Sequence, residues 1–544
     1  MNRRAFIKST FYSGLLYGAG GLPKIVNESQ AAFEPLGNRI LVNTFLNGGP
    51  DMRHIVVPAF DNNTNSVGYQ YWAHRWRAHD IANNPDAWQT RFNEDYFPIT
   101  VGGDNWGQGG ASLVDLGGKN SGVTFGIWKE AGWLIDMFLK GNAAFVLNVA
   151  GGRNRAHDLA ALQLNQGNLL SELSDQTRSG WGGRLARSAG RNLISVTNTP
   201  NRFCFGPLGA APNYDPNELN NDDLVSIARS REIGLNNLNL DLFQAFQADQ
   251  KLARSVSSYY SAIRAERNLR SLEKFLDHER VVRVFGELIE ERLLSVEQPP
   301  LMQALINPMS INGQPVNPAP GSSEPRPILR NRYNFGFQVQ NLYDVLAIND
   351  ALDPGVISME YGDWDSHENQ RDNPNTPDPN NPDLPRGIEG NFRDLFGGPY
   401  SEEPSALYGA FSALLETMRQ QGNTNSNRLV FTFAGEFGRQ LRDNGGGGTD
   451  HGTGNLLLVI GDQVRGGLYG EMFPDSEIPK YALSEQFTPD IEALTDIDYL
   501  FSEVSNWVAP NSASSVFPRL TQSGLPPDQR PILEDGIVFN NLFT

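Results

Sequence analysis

Five short apolar runs constrain this chain more than any other feature of it. They are GNRILVNTFL (37–46), AAFVLNVA (143–150), the segment Gly355–Glu360, RLVFTFA (428–434) and NLLLVI (455–460), and each gives way to a glycine-containing turn. Successive side chains of a strand point to opposite sides of a sheet, so a run without polar alternation must be buried on both faces. Helical character is expected over 124–138, His157–Leu164 and 404–420, between these runs. Buried strands separated by helices describe an α/β fold with a mostly parallel central sheet and helices on both faces. A Trp- and Asn-rich stretch reaching about residue 122 reads as irregular. Residues 216–300 are long, charged and apolar at helical spacing, with Leu235, Leu238, Leu242 and Phe246 on one side, which predicts a helical insertion. The Pro-rich stretch 299–327 reads as a linker, and the polar run DNPNTPDPNNPDLPR (372–386) as a loop without regular structure.

Composition narrows the function. With 44 Lys+Arg against 62 Asp+Glu the formal charge is −18. A surface of that sign repels phosphate backbones, so no nucleic-acid partner is expected. No stretch approaches the roughly 20 apolar residues that a bilayer span needs, so no stable membrane span is expected either. The one cysteine, Cys204, permits no internal disulfide and reads as a small buried apolar residue. Residues 1–32 have a different character: Arg3 and Arg4 are adjacent, Phe6 and Lys8 follow, a short Gly-rich apolar run comes next, and small residues stand at Ala31 and Ala32. This pattern resembles a twin-arginine signal. It implies the twin-arginine export machinery as a partner, export in the folded state, and a periplasmic or secreted location. The remaining chain, 37–544, is expected to be a single domain bearing the helical insertion.

Metal-competent side chains gather where the strands end. Asp51 follows the first run; Asn154, Arg155, His157 and Asp158 follow the second; Asp363, Asp365 and His367 follow the third; Glu436 and Arg439 follow the fourth, with Asp450 and His451 beyond a glycine-rich loop. In open α/β sheets ligands bind at the carboxyl ends of strands. Carboxylates mixed with imidazoles suit Zn, Mn or Fe better than an all-oxygen Ca site. The glycines 445–448 lack the Lys-Ser/Thr of a phosphate-binding loop and read as a mobile hinge presenting Asp450 and His451. Arg155 and Arg439 either hold an anionic substrate or neutralise buried carboxylates.

The stretches FLNGGPDMRHIVVP, NRAHDLAALQLNQG, SGWGGRLAR, GDWDSHENQ and GEFGRQLRDNGGGGTDHGTGNLLLVIGDQVRGGLYG resemble, in order, the blocks of domain-of-unknown-function family 1501. That family is a twin-arginine-exported one within the alkaline-phosphatase-like superfamily. The resemblance implies a three-layer sandwich with a metal site of one or two divalent ions, Zn foremost and Mn, Fe or Ca as alternatives. By resemblance Asp51 is the first, often bridging, carboxylate, and Asp365 with His367 is the middle-strand pair, Asp363 being the other aspartate at ligand spacing. Glu436 stands at a strand-end ligand position and His451 at that of the late histidine. Asp450 is either a ligand or the group that orients His451. The superfamily places Ser, Thr or formylglycine at the helix start after the second strand, whereas here the residues are Ala156-His157. His157 then serves as ligand or nucleophile, or a metal-activated water attacks, or the protein is silent. The sulfatase signature Cys-x-Pro-x-Arg is also missing, since Cys204 continues Phe-Gly-Pro-Leu. The expected activity is hydrolysis of a small anionic phosphate or sulfate ester, with Arg155 and His157 as its catalytic side chains. The alternative is a binding or assembly protein at the cell envelope.

Overall fold

In the computed structural model, which describes residues 36–209, 215–220, 223–228, 230, 297–318, 323–329, 335–371, 373–378, 381–422, 425–483 and 489–544, each apolar run becomes a strand of one large sheet. Its strands are β1 (Ile40–Leu46), β2 (Val114–Leu116), β3 (Ala143–Ala150), β4 (Asn192–Ser195), β5 (Leu224–Ser226), β6 (Pro354–Tyr361), β7 (Leu429–Ala434), β8 (Gly454–Ile460), β9 (Gly467–Tyr469) and β10 (Thr495–Asp496). They lie in the order β5-β4-β6-β1-β7-β8-β3-β9-β2, with β10 alongside the end of β3. Every pairing is parallel except the two made by β8, which runs against both β7 and β3.

The continuous apolar runs are used on both faces. In β1, Ile40, Val42 and Leu46 enter one core and Leu41 and Phe45 the other. The first core is closed by the helices Gly132–Leu139, Phe335–Ala347, Ile388–Phe396 and Ala410–Gln420, which supply Phe138, Leu342, Phe392 and Phe411. The second is closed by Trp181–Ala189 and Ile497–Val508, which supply Trp181, Leu185, Phe501 and Trp507. Strand β3 changes phase once: Leu147 joins the first core while Val149 and Ala150 join the second. The change occurs at Asn148, buried and left-handed at φ 55°, opposite the register shift between Asn455 and Leu457. Asparagine adopts that conformation more readily than most residues, and here its side chain donates to the carbonyl of Glu471 at 2.8 Å, 323 residues away in the chain.

Several expectations are corrected. The stretch read as irregular up to residue 122 contains the helices Val67–Arg75 and Pro85–Asp95 and the strand Tyr96–Thr100. Ser66 and Asn84 cap those helices by accepting from the amides of Tyr69 and Ala87, with Pro85 in the first turn. Residues 124–138 are a strand, Thr124–Trp128, followed by the helix Gly132–Leu139. The strand wins where Thr124, Phe125, Ile127 and Trp128 favour a pleated surface, and it pairs with both Tyr96–Thr100 and Val56–Pro58. The insertion does not begin at 216: Asp215–Asn220 pairs with Gly206–Leu208, and β5 is the sheet's edge strand. Its predicted apolar face at Leu235, Leu238, Leu242 and Phe246 lies outside the described residues, as does the leader 1–32. The supposed linker packs instead, with Leu301, Met302 and Leu305 buried around the short helix Pro300–Ala304. The Pro/Asn loop is a two-stranded antiparallel ribbon, Asn373–Asp378 with Asn381–Arg386, and its register slips twice because its prolines donate no ladder bonds. The last helix of the 404–420 segment starts only at Ala410.

One feature of the topology positions the site. The turns after β1, β3, β6 and β7 all leave the carboxyl edge of the parallel strands, and β8, running the other way, starts at that edge. The residues before β8, including Asp450 and His451, therefore arrive beside those after the other four strands.

Candidate metal centre

Close backbone approach builds the frame. Gly48, at φ 123°, turns the chain after β1 so tightly against β6's exit that a Cβ on it would stand 2.5 Å from the amide nitrogen of Asp365. The Arg439 guanidinium, fully buried, stitches these turns together. Its Nε donates to the Gly49 carbonyl (2.7 Å), Nη1 to Thr449 O (3.0 Å), and Nη2 to Trp364 O (3.0 Å), to Gly48 O and to the Asp365 carboxylate (2.9 Å). A planar fork of five N–H groups suits a task that a lysine could not perform.

Three imidazoles are each held through Nδ1. His157, the first residue of the helix His157–Gln166, lies 2.8 Å from Glu436 Oε1; that oxygen also accepts from the Gly48 amide at 2.9 Å. His367 Nδ1 lies 3.0 Å from Asp450 Oδ1, which in turn accepts from Asn444 Nδ2 at 3.1 Å. His451 Nδ1 lies 2.8 Å from the Arg155 carbonyl. Each partner is an acceptor, so Nδ1 bears the hydrogen and Nε2 of the neutral ring keeps its lone pair. Those three Nε2 atoms face one carboxylate: His367 and His451 stand 3.0 and 3.1 Å from Asp365 Oδ1, and His157 stands 3.4 Å from Asp365 Oδ2. The His367 and His451 Nε2 atoms are themselves 3.0 Å apart, and buried His157 Nε2 has no hydrogen-bond partner among the described residues. The Phe437 ring walls the group, with centroids 4.9 Å from His157 and 4.4 Å from His451.

This donor set fits a metal ion. Lone pairs 3.0 Å apart repel unless a cation or a proton lies between them. Donors at about 2.0–2.2 Å from a common ion are themselves separated by about 3–3.5 Å, the spacing found here. The ligand atoms offered by His157, Asp365 and His451 all lie within 4.8 Å of one another. Imidazole nitrogens with one carboxylate suit Zn, Mn or Fe and weigh against Ca. Burial works to raise the Asp365 pKa, but the nearness of His451 and the hydrogen bond and charge of the Arg439 guanidinium outweigh it and hold the carboxyl well below its usual range. The hydrogen bond to Glu436 raises the pKa of His157, against the opposing effect of burial.

Other expected ligands have other partners. Asp51 is buried and paired with Arg75 at 2.6 Å, and it accepts from Thr449 Oγ1 at 3.2 Å. Burial favours its neutral form, yet the Arg75 guanidinium, with His54 and Arg439, holds its pKa below the ordinary value. Its partner Arg75 arrives on the helix Val67–Arg75 and makes Asp51 one half of a buried ion pair beneath the centre. Glu436 orients His157, and Asp450 orients His367, not His451. Asp365 faces the imidazoles, whereas Asp363 is exposed at φ 70° and its carbonyl accepts from Asn391. Arg155 contributes its carbonyl, and its guanidinium pairs with Asp490. Arg439 is committed to backbone carbonyls and to the Asp365 carboxylate. The roles of Arg75, Phe437 and Asp490 had no signal in the sequence: Asp490 meets Arg155 across 335 residues of chain, and no spacing pattern marks Arg75 or Phe437.

The glycine run is not a hinge. Gln370 donates to Gly447 O (3.0 Å), Asn444 to Gly448 O (3.0 Å) and Thr449 to Ser366 O (3.2 Å), so the loop is laced to the segment bearing His367. A Cβ on Gly448 would stand 2.2 Å from the carbonyl carbon of His367, which is why a small residue is needed there.

No curated protein and no solved structure matches the chain. Residues 398–488 match the model of a family described as a protein of unknown function (DUF1501). That segment contains β7, Glu436, Phe437, Arg439, Asp450, His451 and β8, so the similarity to DUF1501 falls on the block that supplies much of the centre.

Proposed function

We propose that this protein holds one divalent transition-metal ion on His157, Asp365, His367 and His451 and acts as a metal-dependent hydrolase on small phosphate or sulfate esters. The observation that carries this reading is the shared tethering of three histidines through Nδ1, which turns three Nε2 lone pairs toward one carboxylate. One ion, not two, is favoured because Asp51 is spent on Arg75 and Glu436 on His157. When bound, the ion supplies Lewis acidity to a water or to an ester oxygen. The chain's own part is to hold Asp365 in place through Arg439 and to present the amino end of the helix His157–Gln166 to an anion. Ala156, the N-cap of that helix, has no side-chain oxygen to attack with, so the phosphoryl or sulfuryl group is not transferred to this position and water is the nucleophile. An alkaline-phosphatase-like fold accords with the mostly parallel sheet and its helices on both faces, and export by the twin-arginine route to the periplasm or beyond accords with Arg3, Arg4, Phe6 and Lys8.

A second reading, a silent binding or assembly protein at the cell envelope, is favoured by Ala156 together with the engagement of Arg155 and Arg439, which leaves neither guanidinium for an anion. Purified protein loaded with Zn, Mn or Fe should hydrolyse p-nitrophenyl phosphate or p-nitrophenyl sulfate, and His451→Ala should abolish that turnover. A fully loaded wild-type protein that turns over neither ester would favour the silent reading. For export, Arg3→Lys with Arg4→Lys should leave the protein in the cytoplasm, and unchanged export would remove the twin-arginine assignment.

A further inference from the structure

The arginine after β3 has two ends with separate jobs. Its carbonyl accepts from His451 Nδ1 at 2.8 Å, while its guanidinium, less than a third exposed, pairs with the Asp490 carboxylate. Asp490 is itself tied down. Thr453 Oγ1 reaches it at 3.4 Å, and the 489–491 segment is bonded to both arms of the loop bearing His451: Leu441 N donates to Pro489 O at 2.9 Å and Gly454 N to Ile491 O at 3.1 Å. The 153–156 turn therefore has a side-chain anchor on the same segment that braces the chain around His451.

Resting on the metal reading of the preceding section, we infer that Asp490 is a positioning residue for the centre, acting through Arg155. A backbone carbonyl can fix the tautomer and plane of an imidazole only if its own peptide unit is held still, and this one lies in a turn on the protein surface. The Asp490–Arg155 ion pair supplies that restraint and sets the carbonyl at the distance His451 Nδ1 requires. Partners of this kind are worth about 10- to 100-fold in metal affinity when removed from known sites. Arg155 is thereby taken out of substrate binding, and its contribution to the reaction is to aim a ligand.

The test titrates the purified metal-free full chain with Co(II) alone, reading both affinity and ligand-field absorption. Asp490→Ala and Arg155→Met each keep every ligand and the Arg155 carbonyl; circular dichroism of the metal-free forms checks that they fold, and either variant suffices if the other does not. Affinity should fall about 10-fold or more, with shifted absorption bands, because the His451 ring is no longer held in one plane. A residue that merely stabilised the turn would lower the melting temperature and leave the bands unchanged. Wild-type affinity and bands in a folded variant would overturn the positioning role while leaving the centre intact. A wild-type chain that takes up no Co(II) would overturn the reading of the centre itself and the inference with it.

Discussion

A histidine tethered through one ring nitrogen has its other nitrogen committed, and the three imidazoles around Asp365 are all committed in the same direction. Replacing His367 or His451 with Ala should therefore lower bound metal, measured by elemental analysis, and reduce the melting temperature of the loaded protein. The melting shift follows from mass action, since a ligand at 100 times its Kd stabilises the native state by about 2.7 kcal/mol. A variant with full metal content would remove that residue from the ligand set. Outside the set of tethered imidazoles, Asp498 is buried at the start of the helix Ile497–Val508; burial pushes its pKa up to about 7, Arg519 acts the other way and Asp496 adds to the rise. Its folded state holds a proton that the unfolded chain releases near pH 4, so stability falls as pH rises between about 4 and 7 and the loss is complete above that window. Asp498→Asn should raise the melting temperature at pH 8 and flatten its decline from pH 5 to 8; a variant as pH-sensitive as the parent would refute the assignment. These residue roles were only half legible in sequence. Asp365, His367 and His451 could be picked out by type and by place after apolar runs, but which aspartate ligates depends on side-chain direction in an extended segment, and that is decided by Gly48 and Arg439 packing against it.

Among the elements, the turns matter more than the strands they follow. Gly48→Ala would put a side chain at φ 123° and 2.5 Å from the Asp365 amide. The backbone strain alone costs on the order of 1–3 kcal/mol, and relief of the clash would displace Asp365. The expected outcome is a lower denaturation midpoint together with weaker metal binding; wild-type affinity would show that the turn does not set the carboxylate's position. The loop between Arg439 and His451 gives the opposite lesson. Its glycines make it entropically costly to order, yet backbone bonds to Ser366, Gln370 and His74 hold it in place. Limited proteolysis of this loop should then be nearly the same with and without chelator, whereas a large rise in cleavage after chelation would show that coordination dominates. The helices capped by Ser66 and Asn84 were readable in principle, since Ser-x-x and Asn-Pro are start signals. The Asn, Trp and Gly content of that stretch masks these signals.

For the molecule as a whole, the decisive fact is the direction of β8. Had it run parallel to its neighbours, His451 would stand at the amino edge of the sheet, a full strand length from His367. One ion per chain is expected on the resulting site, and an equilibrium stoichiometry of two would show that Asp51 exchanges Arg75 for metal. The apolar runs by themselves determined that there would be a doubly covered sheet, because a strand with no polar face has to be buried on both sides. They determined also where the chemistry-bearing residues would stand along the chain, namely just outside those strands. Strand order and direction were decided by tertiary structure alone, because hydrogen-bonded neighbours such as β1 and β7 are nearly 400 residues apart in sequence and no local pattern encodes their pairing. The same holds for the assignment of each polar group as ligand, tether or anchor. Asp51 and Asp365 are the same side chain after similar strands, and only the arrival of Arg75 beside one and of three imidazoles beside the other makes the first a buried ion pair and the second the centre of the site.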